Sequence, residues 1–274
     1  MHLIAGKFTL SLARPLVMGI VNVTPDSFSD GGKFLARDRA IAHARKLIED
    51  GADILDIGGE STRPGAAAAS LQLELDRVMP VLQALAGEGV PISIDTQKAA
   101  VMQAAIVAGA AMINDVNALQ ADGAIAACAA ANVAVCLMHM RGSPQTMQQQ
   151  PDYADVVSEV SDFLTARVAT CEAAGIARER IVIDPGFGFG KTVEHNFTLL
   201  RQLRKLVALG YPVLAGYSRK SSLGAVTGRP VEERLAASLT AAIIATQNGA
   251  TILRVHDVRE TVDALKVMDA VRGK

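Results

Sequence analysis

Seven short apolar runs in this chain each end on a polar or charged residue, and no other feature restricts its possible folds as strongly. Residues 17–21 run into Asn22, 54–55 into Asp56, 91–94 into Asp95, 111–113 into Asn114 and 181–183 into Asp184. Residues 213–217 lead to Ser218, Arg219 and Lys220, and 251–253 to Arg254, Val255 and His256. An eighth run, 132–138, ends at His139. Between the runs, apolar residues recur at helical spacing, predicting helices over 37–50, 71–85, 98–108, 121–131, 153–174, 194–209, 232–248 and 258–271. Glycines such as Gly51, Gly109, Gly175, Gly210 and Gly249 stand between a helix and the next strand, where the left-handed conformation that ends a helix suits them. Strands alternating with helices make parallel βαβ units. The expected fold is α/β: a single (β/α)8 TIM barrel spanning 1–274, with its active site at the C-terminal ends of the strands. An open, doubly wound sheet is the alternative, since strand count alone does not prove closure.

The chain has 274 residues, half of them hydrophobic, which suits one barrel with a large core. A net charge of −1 gives no electrostatic footprint for nucleic acid, and no apolar run is long enough to span a membrane. The partners expected are therefore small molecules. Cys128, Cys136 and Cys171 are odd in number and lack metal-binding spacing, so they read as buried, reduced thiols in a cytoplasmic protein. Three strand-to-helix loops are long, at 22–36, 58–70 and 139–151, and all belong to one face of the expected barrel.

On that face, Asp56, Asp95, Asn114 and Asp184 offer carboxylates and an amide suited to a flat heterocycle with several N–H donors and ring acceptors. A strand-end Asp or Asn also caps a following helix or closes an Asx-turn, so each residue alone has a structural reading. Ser218-Arg219-Lys220 and Arg254-Val255-His256 place cations at the last two strand ends, where barrels often bind phosphate. Pairing of such a cation with a barrel Asp is compatible with that role. The segment 186–192 invites a phosphate-loop reading, but the register requires Gly at 185, where Pro185 stands. Its glycines instead suit a close backbone approach, with Phe187 or Phe189 as an apolar wall. The Ala-rich stretch 235–247 is apolar on more than one face, which fits either deep burial or a homodimer contact.

The motifs together resemble a known family. The segments 19–32 (GIVNVTPDSFSDGG) and 58–65 (GGESTRPG) are similar to the two signatures of the dihydropteroate synthases. Ile94-Asp95-Thr96, Ile113-Asn114-Asp115, the DPGFGFGK of 184–191, Ser218-Arg219-Lys220-Ser221 and Arg254-Val255-His256-Asp257 continue in family order. The resemblance implies a folate-synthesis transferase that joins 6-hydroxymethyl-7,8-dihydropterin diphosphate to 4-aminobenzoate with Mg2+, releasing pyrophosphate and 7,8-dihydropteroate. It also implies a homodimer and a sulfonamide target. Carried over by position, Asp95, Asn114, Asp184 and Lys220, with Asp56 alongside, bind the pterin. Asn22 is the Mg2+ ligand near the diphosphate, and Arg254 and His256 hold the diphosphate. Thr62, Arg63, Pro64 and Ser218, with Phe28 and Phe189, lie on the aminobenzoate side. Asp95, Asp184, Lys220, Arg254 and His256 are the expected catalytic set, acting through an SN1-like pterin cation. Gln97 and Tyr217 depart from the family's usual residues. The rival readings are a pterin-dependent methyltransferase-type barrel and a non-catalytic pterin-binding protein. The first would lack the loops at 22–32 and 62–64, and the second would tolerate loss of Asn22, Arg254 and His256.

Overall fold

Along each apolar run, successive side chains are buried on opposite faces, as expected of strands covered on both sides. In a computed structural model of the chain, describing residues 1–23, 33–61, 68–143, 146–147 and 151–273, these runs form parallel strands. They are β3 (Leu16–Asn22), β4 (Ile54–Gly58), β5 (Ile92–Asp95), β6 (Met112–Asp115), β7 (Ala134–Met138), β8 (Ile181–Asp184), β9 (Leu214–Ala215) and β10 (Ile252–Val255). The sheet order is β8-β7-β6-β5-β4-β3-β10-β9. A parallel bridge between Ile183 and Val213 brings β8 beside β9, so the sheet is almost closed into a barrel. That closure favours the barrel over the open sheet.

Strand periodicity divides the apolar residues into two cores. Outward residues such as Val17, Leu55, Ile94, Ile113, Val135, Ile183 and Leu253 pack under the surrounding helices. Inward residues Met18, Ile54, Met112, Ala134, Val182, Leu214 and Ile252 fill the barrel. Continuing the same alternation up the strands turns Asp56, Asp95, Asn114, Asp184 and Arg254 inward at the mouth.

The helices are α1 (Lys33–Glu49), α2 (Leu71–Leu85), α3 (Ala99–Val107), α4 (Ala124–Ala129), α5 (Val156–Ala173), α6 (Val193–Arg201), α7 (Leu203–Val207), α8 (Ser221–Thr227), α9 (Leu235–Gln247) and α10 (Val258–Val271). The helix expected over 194–209 is divided at Gln202, whose φ of −105° and ψ of 18° leave the helical region between α6 and α7. Besides the 3-10 turns at Arg178–Arg180 and Val231–Glu233, a short helix and a hairpin are absent from the sequence reading. The helix is α8. The hairpin is antiparallel, β1 (His2–Ala5) and β2 (Phe8–Ser11), at the N-terminus. Leu3 and Ala5 of the hairpin join the barrel-interior core, beside the N-terminal halves of the strands and away from the polar mouth. All three cysteines are free and buried.

Candidate active site

Strand register brings the site together. Cα partners run from Asn22 to Gly58, from Gly58 to Asp95 and from Asp95 to Asn114, so one row crosses β3 to β6 at a single height. Gly58 leaves a notch in that row. A Cβ there would lie 3.8 Å from both Asn22 Oδ1 and Asp95 Oδ2. The absent side chain thus leaves space between a neutral amide oxygen and a carboxylate.

Arg254 reaches inward from β10 and spans two carboxylates. Its Nε donates to Asp56 Oδ2 at 2.6 Å and its Nη2 to Asp95 Oδ2 at 2.8 Å. Asn114 Nδ2 also donates to Asp56 Oδ2, at 3.1 Å. Asp56 is 0% exposed, yet among the described residues its Oδ1 has no hydrogen-bond partner. A buried acceptor in that state is normally satisfied by water or by a bound donor. Asp184 is fixed differently: its Oδ1 accepts from the Gly186 N–H at 2.7 Å. Lys220 arrives from the β9 side, with its ammonium 4.1 Å from the centre of the Phe189 ring, a cation–π contact. Ser218 Oγ and His256 Nδ1 lie 3.0 Å apart, joining the ends of β9 and β10.

Burial dominates the electrostatics. It raises Asp95 to about 7, with Asp56 adding to the rise and Arg254 opposing it. It raises Asp184 to about 6 against the Gly186 N–H and the Lys220 charge. Lys220 falls to about 8 through burial and the nearby Arg254. Arg254 is held firmly as a cation because the pull of Asp56 and Asp95 outweighs its own burial. His256 falls to about 3 through burial beside Arg219 and Arg254, so it is a neutral imidazole at pH 7. In this state His256 meets an anion as an N–H donor. An arriving diphosphate would raise its pKa.

The structure therefore gathers Asn22, Asp56, Asp95, Asn114, Asp184, Phe189, Ser218, Lys220, Arg254 and His256 at one end of the barrel. Phe28, Thr62, Arg63 and Pro64 lie outside the described residues. Tyr217, one of the departures from the family pattern, is buried edge-on against Phe187 with centroids 4.6 Å apart, and its hydroxyl accepts from Ser222 Oγ at 3.2 Å.

Sequence reasoning missed the Lys98, Glu60 and Glu74 cluster, and it grouped Arg219 with the anion-binding cations without its partners. Lys98 Nζ lies between Glu60 Oε2 at 2.5 Å and the buried Glu74 Oε2 at 2.6 Å. The other Glu60 oxygen accepts from the Ala69 N–H at 2.9 Å, joining the two ends of the second long loop. Arg219 has a left-handed φ of 58°, an uncommon conformation for a side-chain-bearing residue. Its guanidinium pairs with Asp257, and its carbonyl accepts from Arg234. That arrangement holds the turn from which Lys220 projects. The adjacency of Arg219 to Lys220 was the available signal; the partner residues are remote in sequence.

A family model described as pterin binding enzyme matches residues 18–256. The chain is 52% identical over 274 residues to the dihydropteroate synthase of Neisseria meningitidis serogroup B, covering 97% of this chain and 96% of that one. It is 49% identical over 271 residues to the dihydropteroate synthase of Escherichia coli K12, covering 98% and 96%. Among solved structures, dihydropteroate synthase from Burkholderia cenocepacia complexed with 7,8-dihydropteroate superposes with a TM-score of 0.92 at 53% identity, over 99% of this chain and 96% of that one. The Yersinia pestis dihydropteroate synthase in a sulfonamide drug complex superposes with a TM-score of 0.95 at 49% identity, over 100% of both chains.

Proposed function

The chain belongs to the dihydropteroate synthases of the pterin-binding enzyme family, and from that premise we propose how its residues divide the reaction. It is a transferase of folate biosynthesis, joining 6-hydroxymethyl-7,8-dihydropterin diphosphate to 4-aminobenzoate and releasing pyrophosphate and 7,8-dihydropteroate. The observation that supports this division best is the convergence of Asp56, Asp95, Asn114, Asp184, Lys220 and Arg254 on one barrel mouth, with Asp56 Oδ1 buried and unpartnered among the described residues.

The pterin lies among Asp95, Asn114, Asp184 and Lys220, whose carboxylates, amide and ammonium match its mixed donors and acceptors. The diphosphate lies toward Asn22, Arg254 and His256. An aromatic amine is a weak nucleophile, so departure of the diphosphate precedes attack. Asp95 and Asp184, once ionised, stabilise the developing positive charge on the pterin, while Arg254 and His256 stabilise the leaving anion. Arg254 then exchanges part of its pairing with Asp56 and Asp95 for contact with phosphate oxygens. Ser218 sets the His256 ring through the contact at Nδ1, leaving Nε2 as the donor to the anion.

Asn22 Oδ1 at the Gly58 notch suits Mg2+, a hard cation that takes oxygen ligands and commonly keeps substrate phosphates and waters among them. Among the described residues no group of three or more His, Cys, Asp or Glu could hold a metal, which fits an ion held jointly with the diphosphate. When bound, Mg2+ neutralises charge on the leaving group. The whole chain acts as one barrel domain in the cytoplasm. It pairs as a homodimer, with exposed Leu235 and Ile244 of α9 supporting that reading.

Calorimetric titration of the pterin diphosphate with and without Mg2+ tests the anion site. Each ligand is expected to tighten the other by about 10-fold or more, and Asn22→Ala to abolish that coupling. Equal affinity with and without Mg2+, or coupling that survives Asn22→Ala, contradicts the assignment.

A further inference from the structure

The glycine-rich segment 186–192 resembles a phosphate loop in composition but is built around a cation. Lys191 is 3% exposed. Its Nζ lies within hydrogen-bond distance of four acceptors, His139 Nδ1 at 3.0 Å, His139 O at 3.3 Å, Gly186 O at 3.0 Å and Phe189 O at 2.9 Å, so one of the three ammonium N–H groups is shared between two of them. An ammonium has no lone pair, so at the His139 contact Nδ1 is the acceptor and the ring proton sits on Nε2. Burial holds His139 down at about 3, with the Lys191 charge adding to the fall, so the ring stays a neutral acceptor. Burial also lowers Lys191 to about 7 against the pull of Asp184, and it is the charged form that makes these contacts as a donor throughout. Its ring is locked edge-on against Phe163, with centroids 5.0 Å apart.

The backbone is shaped to this arrangement. Gly186 has φ +69°, and a Cβ there would sit 1.9 Å from the His139 carbonyl oxygen. Gly190 has φ +62°, and a Cβ there would lie 2.6 Å from Arg141 O. Only glycine permits both approaches. A Cβ on Gly188 would stand 3.1 Å from Lys220 Cδ, so the same loop runs directly along the Lys220 side chain. The strand-proximal part of the loop is held at Asp184 by the Gly186 N–H, whereas the part bearing Phe189 is drawn in by Lys191.

We infer that Lys191 is a positioning residue: by gathering the carbonyls of His139, Gly186 and Phe189 onto one buried ammonium, it fixes the Phe189 ring beneath Lys220 and so shapes the aminobenzoate side of the site. The inference rests on the functional reading above. It separates two roles within DPGFGFGK, with Asp184 serving the pterin and Lys191 holding the wall behind the second substrate.

Steady-state kinetics of Lys191→Met with each substrate varied in turn test it. The KM for aminobenzoate is expected to rise about 10-fold or more, while kcat and the KM for the pterin diphosphate stay within about 3-fold. A lower melting temperature with an unchanged aminobenzoate KM assigns Lys191 to stability alone and overturns the inference. Should Lys191→Met fail to fold, His139→Phe keeps a ring against Phe163 and the backbone carbonyl but deletes Nδ1. It is expected to raise the same KM about 3-fold, in line with loss of one hydrogen bond. An unmoved KM there also overturns the inference. Wild-type enzyme without aminobenzoate-dependent turnover overturns the functional reading and this inference together. Normal wild-type turnover with unmoved KM in the variants overturns this inference alone.

Discussion

At the residue scale, the site is a set of charges held out of water by one another. Asp56 depends on Arg254 and Asn114, and removing the guanidinium leaves a fully buried carboxylate with one neutral donor. Arg254→Met is expected to lose about 2–3 kcal/mol of stability, below the range for a fully buried pair because the Arg254 side chain is 21% exposed. Urea unfolding checks this, and an unchanged midpoint at constant slope contradicts it. Asp184 gives a pH signature. Its pKa is raised to about 6 by burial, so the folded state holds the proton more tightly than the unfolded chain, where Asp titrates near about 4. The stability it contributes is present below the unfolded value and is lost as pH rises through about 6. Asp184→Asn is therefore expected to melt above wild type at pH 8, with the gap closing toward pH 4. A gap independent of pH argues against that linkage. The identities of Asp56, Asp95, Asn114 and Asp184 were legible because each ends an apolar run. Pairing of a mouth cation with a barrel Asp was legible as a possibility, but the particular carboxylates that Arg254 joins and the contact of Lys191 with His139 were not, because Asp56 and His139 lie 198 and 52 residues away in sequence.

At the element scale, helix bounds were legible where local chemistry fixes them. Helix α2 matches its expected limits, with Ser70 Oγ accepting from the Leu73 N–H at its start. The break at Gln202 was illegible because the apolar spacing runs on through it, with Leu199, Leu200, Leu203 and Leu206 all buried on either side. The N-terminal hairpin was missed because its alternation is short and only one of its faces is covered. Leu3 nonetheless carries weight, being 0% exposed within the barrel-interior core. Leu3→Ala is expected to reduce stability by about 2–4 kcal/mol while leaving kcat unchanged, because it packs away from the polar mouth. Chemical denaturation and turnover assays on the same preparation check both halves, and a loss of kcat in fully folded protein contradicts the second.

At the scale of the whole molecule, barrel closure turns seven separate strand endings into one site. The row from Asn22 through Gly58 and Asp95 to Asn114 exists because four consecutive strands share a register, and β10 returns Arg254 beside them. The strand-and-helix order predicted that the endings share a face; their common height is a property of the assembled sheet. The most direct test of the central claim is pyrophosphate release from the pterin diphosphate with Mg2+, with and without 4-aminobenzoate, in wild type and Lys220→Ala. Turnover is expected to depend on aminobenzoate and to fall by about 100-fold or more in Lys220→Ala. Tight pterin binding without turnover, or wild-type rates retained in Lys220→Ala, would contradict that claim.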